Sequence, residues 1–384
     1  MTVWDDLVGQ EPTIATLQQA VAAAADALTG LTAPGMSHAW LFTGPPGSGR
    51  SNAARAFAAG LLCDRGGCGE CLSCRTSLAG SHSDVTLIRT EALSIKVEEV
   101  RELVRRAAMS PTGRRWQVLV IEDADRLTDQ AGDALLKALE EPAHRTIWLL
   151  CAPTVEDVLP TVRSRTRLLV LGTPPPSAVA KVLVDRDGVG QAVAVFAARA
   201  SQGHIGRARA LATDEATRNR RREVLSMASR LNDVGSCITA ASNLVDAATE
   251  EAGPIAARLE GREKSDLDQT FGAGGRGARP KGLAPALKAL ETEQRTRRKR
   301  LERDCIDRAL IDMMSLYRDV MTVQTGAGVG LVNEEMRIDV TALAHRSTAE
   351  QSLRRIQAIL AAREALEANV APTLALESMM LSLR

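Results

Sequence analysis

The stretch AWLFTGPPGSGRSNAARAFAAGLL, residues 39–62, decides how the chain begins to fold. An apolar run from Ala39 to Thr43 is followed by a turn rich in glycine and proline, Gly44 to Gly49. The alanine-rich segment Ser51 to Leu62 then favours helix. The order is strand, loop, helix. Gly44, Gly47, Ser48, Gly49, Arg50 and Ser51 fall on the phosphate-loop pattern G-x-x-x-x-G-K-[ST], with Arg50 where the pattern has lysine. Such a loop turns backbone N–H groups inward toward phosphate oxygens at the positive end of the next helix. Ser51 supplies a hydroxyl suited to Mg²⁺. Arginine is a wide planar fork and does not replace a compact ammonium between two phosphates. The shape of the loop is expected; its chemistry is altered.

Outward from this stretch, the pattern repeats. A helix is expected over residues 10–30, and a second strand over Trp116–Ile121, ending in Glu122-Asp123. A helix over 128–141 stops at Pro142, and a third strand follows at Thr146–Ala152. Alternating strands and helices predict a parallel α/β sheet with its functional loops at the strand C-termini. ATP-hydrolysing sites of this kind end the second strand in Asp-Glu, one acid serving Mg²⁺ and one the attacking water. Glu122-Asp123 inverts that order and displaces both carboxylates by about a bond length. The nucleotide site at Gly44–Ser51, Glu122 and Asp123 is therefore expected to be degenerate. Binding of ATP or ADP with Mg²⁺ is left open, and hydrolysis is not expected.

Cys63, Cys68, Cys71 and Cys74 give C-x₄-C-x₂-C-x₂-C among several glycines. Four thiolates at this spacing match a tetrahedral structural Zn²⁺ site, with an iron–sulfur cluster as the alternative. Cys151, Cys237 and Cys305 lie in apolar contexts and read as buried thiols. The five histidines form no metal or catalytic constellation.

Beyond Gly172-Thr173-Pro174-Pro175-Pro176, a hinge, the sequence becomes helical. Residues 173–225 read as a small helical domain and 226–384 as a larger one, with a flexible loop near 261–285 that is rich in glycine. Apolar stripes run through Cys305–Tyr317, Leu353-Ile356-Leu360 and Leu376-Met379-Met380-Leu383. Between Arg276 and Arg303 stand ten Lys/Arg against three Glu, either a backbone contact for DNA or a solvated helix face. The chain has a net charge of +1, which excludes no partner class, so any polyanion site must be a local patch. No secretory signal or membrane span is evident, and a cytoplasmic protein is expected.

The wording Ala134-Leu135-Leu136-Lys137-Ala138-Leu139-Glu140-Glu141-Pro142 is the most family-specific in the chain. With Val8-Gly9-Gln10-Glu11, the Gly44–Ser51 loop, the cysteine insertion and Ser164-Arg165-Thr166, it resembles the bacterial DNA polymerase III clamp loaders of the AAA+ family over about residues 1–170. The resemblance implies an AAA+ α/β P-loop domain over 1–172 with an inserted zinc module at 63–74, a helical lid over 173–225 and an all-α collar over 226–384. It implies partners too: ATPase motor subunits and a clamp-opening subunit in a five-membered ring, a sliding clamp and primed DNA. Ser164-Arg165-Thr166 matches the family's Ser-Arg-Cys, whose arginine acts as a finger on a neighbour's ATP. Arg165 inherits that expectation, against the plainer reading of Arg163, Arg165 and Arg167 as a basic patch. The lid's sensor arginine, three residues after a glycine in motor subunits, is Gly206 here, with Arg207 one place late. Arg50, the inverted acids and Gly206 together resemble the delta-prime type. Two alternatives stand beside it: an active ATPase motor of the same family, and a stand-alone nucleic-acid-binding zinc protein.

Overall fold

A computed structural model describes residues 2–31, 35–90, 94–113, 115–228, 230–270 and 283–384. Ala39–Thr43 (β1) is buried along its whole length, as a continuous apolar run between two helical layers must be. It pairs in parallel with Thr146–Ala152 (β4) on one side and Arg167–Val170 (β5) on the other. Gln117–Ile121 (β3) pairs with β4, and Val85–Ile88 (β2) lies beyond it. The sheet is parallel and five-stranded, in the order β2-β3-β4-β1-β5. The loops leaving β1 and β3 therefore open on the same edge, one strand apart.

Alternation along β1 divides the core. Trp40 and Phe42 face Phe57 and Leu61 of Arg50–Leu62 (α2) and Leu17 of Glu11–Leu28 (α1). Leu41 looks the other way, with Trp148 and Leu150 of β4, toward Val97–Ala107 (α4) and Asp129–Glu140 (α5). Between α2 and β2 comes the short helix Leu72–Leu78 (α3). Thr128 starts α5 by accepting the N–H of Ala131, an N-cap in the ordinary sense. The brief helix Pro160–Arg163 (α6) follows β4 and packs on α5. Gly132 permits this approach, because a Cβ there would lie 2.2 Å from Leu159 Cδ1.

The chain divides into two compact units, residues 1–213 and 214–384. The first unit ends with three helices, Pro176–Asp185 (α7), Gln191–Ala200 (α8) and Ile205–Thr213 (α9), sharing a small core around Val179, Leu183, Ala197 and Leu211. The second unit is helical throughout its described residues: Glu215–Met227 (α10), Val234–Thr270 (α11), Leu283–Thr325 (α12), Arg337–Arg346 (α13), Ala349–Glu367 (α14) and Pro372–Leu383 (α15). Cys305, Ile306, Leu310, Met313 and Tyr317 are buried in its main core together with Leu376, Met379, Met380 and Leu383. Beside it lies a buried polar network. Asp319, fully buried, accepts the backbone N–H groups of Val332 and Asn333 and the Asn333 amide at 2.6–2.9 Å.

Several local expectations change. Residues 261–270, read as part of a loop near 261–285, belong to α11, and Leu283 already opens α12. Arg262, Glu263 and Lys264 there are good helix formers, and Glu263 pairs across to Arg297 of α12. The remainder of that segment, 271–282, lies outside the described residues. The stripe Leu353-Ile356-Leu360 is displaced: Leu353 and Leu360 are exposed, and α14 buries Ser352, Ile359, Ala362 and Leu366 instead. Two cations of the basic run, and Arg308 just beyond it, are paired with acids of α11. Arg297 binds both Glu263 oxygens, Arg298 binds both Glu260 oxygens, and Arg308 reaches Glu251. Arg297 and Arg298, at its dense centre, thus staple α12 to α11. Among the described residues no helix is long and apolar enough to cross a membrane.

Candidate functional site

The loop after β1 has the form that its glycines predict. Gly44, Gly47 and Gly49 all have positive φ, and Gly49 at φ 91° leads into the first turn of α2. Gly47 has a second reason to lack a side chain: a Cβ would lie 2.6 Å from His204 Cβ, so the turn before α9 rests on the loop. Gln10 ties the loop to the hinge by donating to the carbonyl of Gly172 at 2.6 Å and, more weakly, to that of Ser48 at 3.4 Å. The hydroxyls of Thr43 and Ser48 are buried here without a hydrogen-bond partner.

The charged groups around the loop are engaged internally. Arg50 Nη1 donates to the Gly44 carbonyl at 2.5 Å, so the guanidinium folds back on its own loop. Burial pulls Arg50 below the usual guanidinium range, while Asp125, Asp123 and Asp157 act in the opposite direction. Glu122, its side chain almost wholly buried, accepts Arg55 Nε at 2.9 Å and Nη2 at 2.8 Å, and Arg89 lies 4.0 Å from its other oxygen. Asp125 is held above the ordinary carboxylate range by burial and by the nearby Asp123. These residues do not fit a catalytic Mg²⁺ centre. The first acid already has a guanidinium counter-charge, and a divalent cation there would have to expel it. Arg55, on α2 one turn past Ser51, belongs to no motif that the sequence announces. The signal that could have found it is its i+4 spacing from Ser51, which puts both on one helical face.

The cysteine cluster is assembled by the end of one helix and the start of another. Cys63 caps the C-terminus of α2, and Cys71 caps the N-terminus of α3, accepting the N–H of Cys74. All four ligand atoms lie within 4.8 Å of one another, and the Cys63–Cys68 and Cys63–Cys71 sulfur separations are both 3.7 Å. With Zn–S at about 2.3 Å, the edge of a tetrahedral ZnS₄ site is about 3.8 Å, so the residues fit zinc. A cluster placing several irons between the sulfurs would spread them further. Backbone N–H groups of Glu70 and Cys71 bring the Cys68 thiol down to about 6. At Cys63, burial acts upward as the largest single influence, yet N–H groups of Cys68, Gly67 and Arg65 outweigh it and the net shift is downward. Burial pushes Cys74 up. The module is pinned to the chain's start: Val3 N–H donates to the Gly67 carbonyl at 3.1 Å and Trp4 Nε1 to that of Gly66 at 3.2 Å. Cys151, Cys237 and Cys305 are separate and buried.

Arg165 lies in the turn between α6 and β5, half exposed. Its Nε donates to Glu140 Oε1 at 2.6 Å, and Nη2 pairs with the same oxygen. Nη1 donates to the Thr161 carbonyl at 2.8 Å and to Ser164 Oγ at 3.1 Å. Arg163 is exposed, and Arg167 stacks over the Trp40 ring at 4.6 Å. The three arginines therefore have three different settings and do not form one patch.

A phosphate loop between a buried first strand and helix, in a parallel sheet ordered β2-β3-β4-β1-β5 with a three-helix bundle after it, defines the P-loop fold of the AAA+ class. Two family models match, one described as DNA polymerase III, delta subunit, over residues 23–175, and one as DNA polymerase III, delta subunit, C terminal, over 301–384. Over these two matched segments the chain is similar to DNA polymerase III subunits of the delta kind. It is similar to the DNA polymerase III subunit delta' of Pseudomonas aeruginosa, 38% identical over 135 residues, which are 34% of this chain and 41% of that one. It is also similar to the subunit gamma/tau of Mycobacterium tuberculosis, 33% identical over 192 residues, 48% of this chain and 32% of that protein. The chain thus spans less than half the length of either relative. A DNA polymerase III gamma subunit-related protein of Thermotoga maritima has a solved structure that aligns with 91% of this chain and 95% of its own, at 14% identity and a TM-score of 0.40.

Proposed function

We propose that this chain is a non-hydrolysing member of a clamp loader, which helps open a sliding clamp and load it on primed DNA by assembling with ATPase subunits and donating Arg165 to a neighbour's ATP. The observation that carries this reading is the state of Glu122. The acid that a motor would offer to Mg²⁺ is already neutralised by Arg55, while Arg165, partly exposed and paired with Glu140, lies at the far end of α5. A permanent forked cation is suited to the charge that develops on a transferring phosphoryl group. In this reading Zn²⁺ on Cys63, Cys68, Cys71 and Cys74 is structural, since four protein ligands leave no open position. ATP or ADP held at Gly44–Ser51 would be static. Exposed Leu353 and Leu360 on α14, and Leu374 and Leu381 on α15, each seven residues apart, offer apolar stripes to the collar helices of other subunits. The three-part division into AAA+ domain, lid and collar belongs to the same proposal, as does a cytoplasmic site of action.

The test uses the purified chain and a reconstituted loader. Alone, the chain releases no phosphate from Mg·ATP above a protein-free blank. In the loader, Arg50→Ala leaves DNA-stimulated hydrolysis unchanged. Turnover by the isolated chain, or collapse of the loader's hydrolysis in Arg50→Ala, identifies a motor instead.

A further inference from the structure

The helix α5 carries most of the chain's most family-specific wording, and its last residue is Glu140. That residue holds the guanidinium of Arg165 from one side, at Nε and Nη2, while Thr161 and Ser164 hold it from the other, at Nη1. Arginine has several rotatable bonds, and an exposed one samples many rotamers unless something fixes it. Here α6 supplies one anchor and α5 the second. The distance between those anchors is set by packing: Gly132 lets Leu159 and Val162 lie against α5, which brings the turn bearing Arg165 within reach of the α5 C-terminus. Glu140 is about half exposed and contributes little to stability, because a solvent-exposed ion pair is offset by the entropy of holding it. Its conformational effect is larger than its energetic one.

We infer that Glu140 is a positioning residue for Arg165: it fixes the guanidinium in a single pose before a neighbouring subunit presents its nucleotide. The inference rests on the finger reading above. Pre-organisation transfers the cost of ordering Arg165 from the assembled transition state to the free chain. Glu140 acts through Arg165 and needs no contact with the nucleotide.

The test is a double-mutant cycle in a reconstituted loader whose assembly is verified by gel filtration, with single-turnover ATP hydrolysis as the readout. Glu140→Ala should lower the hydrolysis rate at the neighbouring site roughly three- to tenfold, the range expected for freeing one long side chain. The ATP concentration for half-saturation should stay fixed, because the effect is confined to the transition state. Glu140→Gln keeps an acceptor oxygen and should restore part of the loss. In an Arg165→Ala background, Glu140→Ala should change nothing further. Wild-type hydrolysis by Glu140→Ala beside a severe Arg165→Ala defect overturns the positioning role and leaves the finger intact. A further loss in the double variant overturns it too, by showing that Glu140 acts on the fold. If Arg165→Ala itself is harmless, the finger reading falls, and the role of Glu140 falls with it.

Discussion

Removing a ligand of the proposed zinc site tests the N-terminal unit where sequence and geometry agree most closely. Cys71→Ser removes one of four sulfurs that lie within 4.8 Å of one another, while the serine hydroxyl can still accept the Cys74 N–H at the start of α3, so the loss is that of a metal ligand. Without metal, only Arg65 beside Cys68 and a few backbone N–H groups hold the clustered sulfurs, and the turn from Cys63 to Cys74 should open. Opening it breaks the hydrogen bonds that Val3 and Trp4 each make to the module, about 1 kcal/mol apiece. Trp4, now 5% exposed, is partly uncovered, about another 2 kcal/mol. The expected cost is therefore about 4 kcal/mol, which corresponds to a fall in melting temperature of roughly 10 °C for a unit of this size. The assay is calorimetry or fluorescence melting beside metal analysis, with Trp4 as a reporter near the site. Wild-type protein should carry about one zinc per chain, and chelation should reproduce the Cys71→Ser shift. Protein that holds no zinc, holds iron with sulfide, or melts unchanged after Cys71→Ser refutes the reasoning.

Two other outcomes concern the helical unit. Asp319→Ala leaves two backbone N–H groups and the Asn333 amide buried without their acceptor, and should cost about 3–5 kcal/mol of stability in denaturant melts; a loss below about 1 kcal/mol would mean that water or another group takes over. Arg297→Ala breaks a half-buried pair with Glu263 and should lower thermal stability by a few degrees, while the salt dependence of DNA binding by the loader stays put. A changed salt slope with unaltered stability would make Arg297 a phosphate contact instead of a staple.

Much of the first unit is legible in the sequence because its signals are local. The run Ala39–Thr43, the glycines after it and the alanine-rich helix specify β1, the loop and α2 with little help from elsewhere. The cysteines mark their own site. β2 and β5 are not legible, because four residues carry too little periodicity to separate a strand from a loop. The helix α4 does carry a signal, in Val97, Val100, Leu103 and Ala107, spaced one turn apart. What the sequence hides is pairing between distant residues. Arg55 with Glu122, Arg165 with Glu140 and the Gln10 bridge to Gly172 span 67, 25 and 162 positions, and no short pattern announces them. The basic run shows how folding can redirect a local signal. Cations dense in sequence suggest a polyanion, yet folding sets Glu260 and Glu263 against them. On α14, apolar residues one turn apart suggest a buried stripe, but the unit's core selects the neighbouring face.

Arg165 separates a donor of a catalytic cation from a motor most directly. A loader reconstituted with Arg165→Ala in this chain and unaltered partners is checked for assembly, then assayed for hydrolysis stimulated by clamp and primed DNA. The substitution touches a half-exposed side chain, so folding and assembly should persist. Hydrolysis at one neighbouring site should fall by a factor on the order of 10³, the worth of an arginine finger, while the other sites retain theirs. Unchanged hydrolysis at every site in the Arg165→Ala loader would contradict the account.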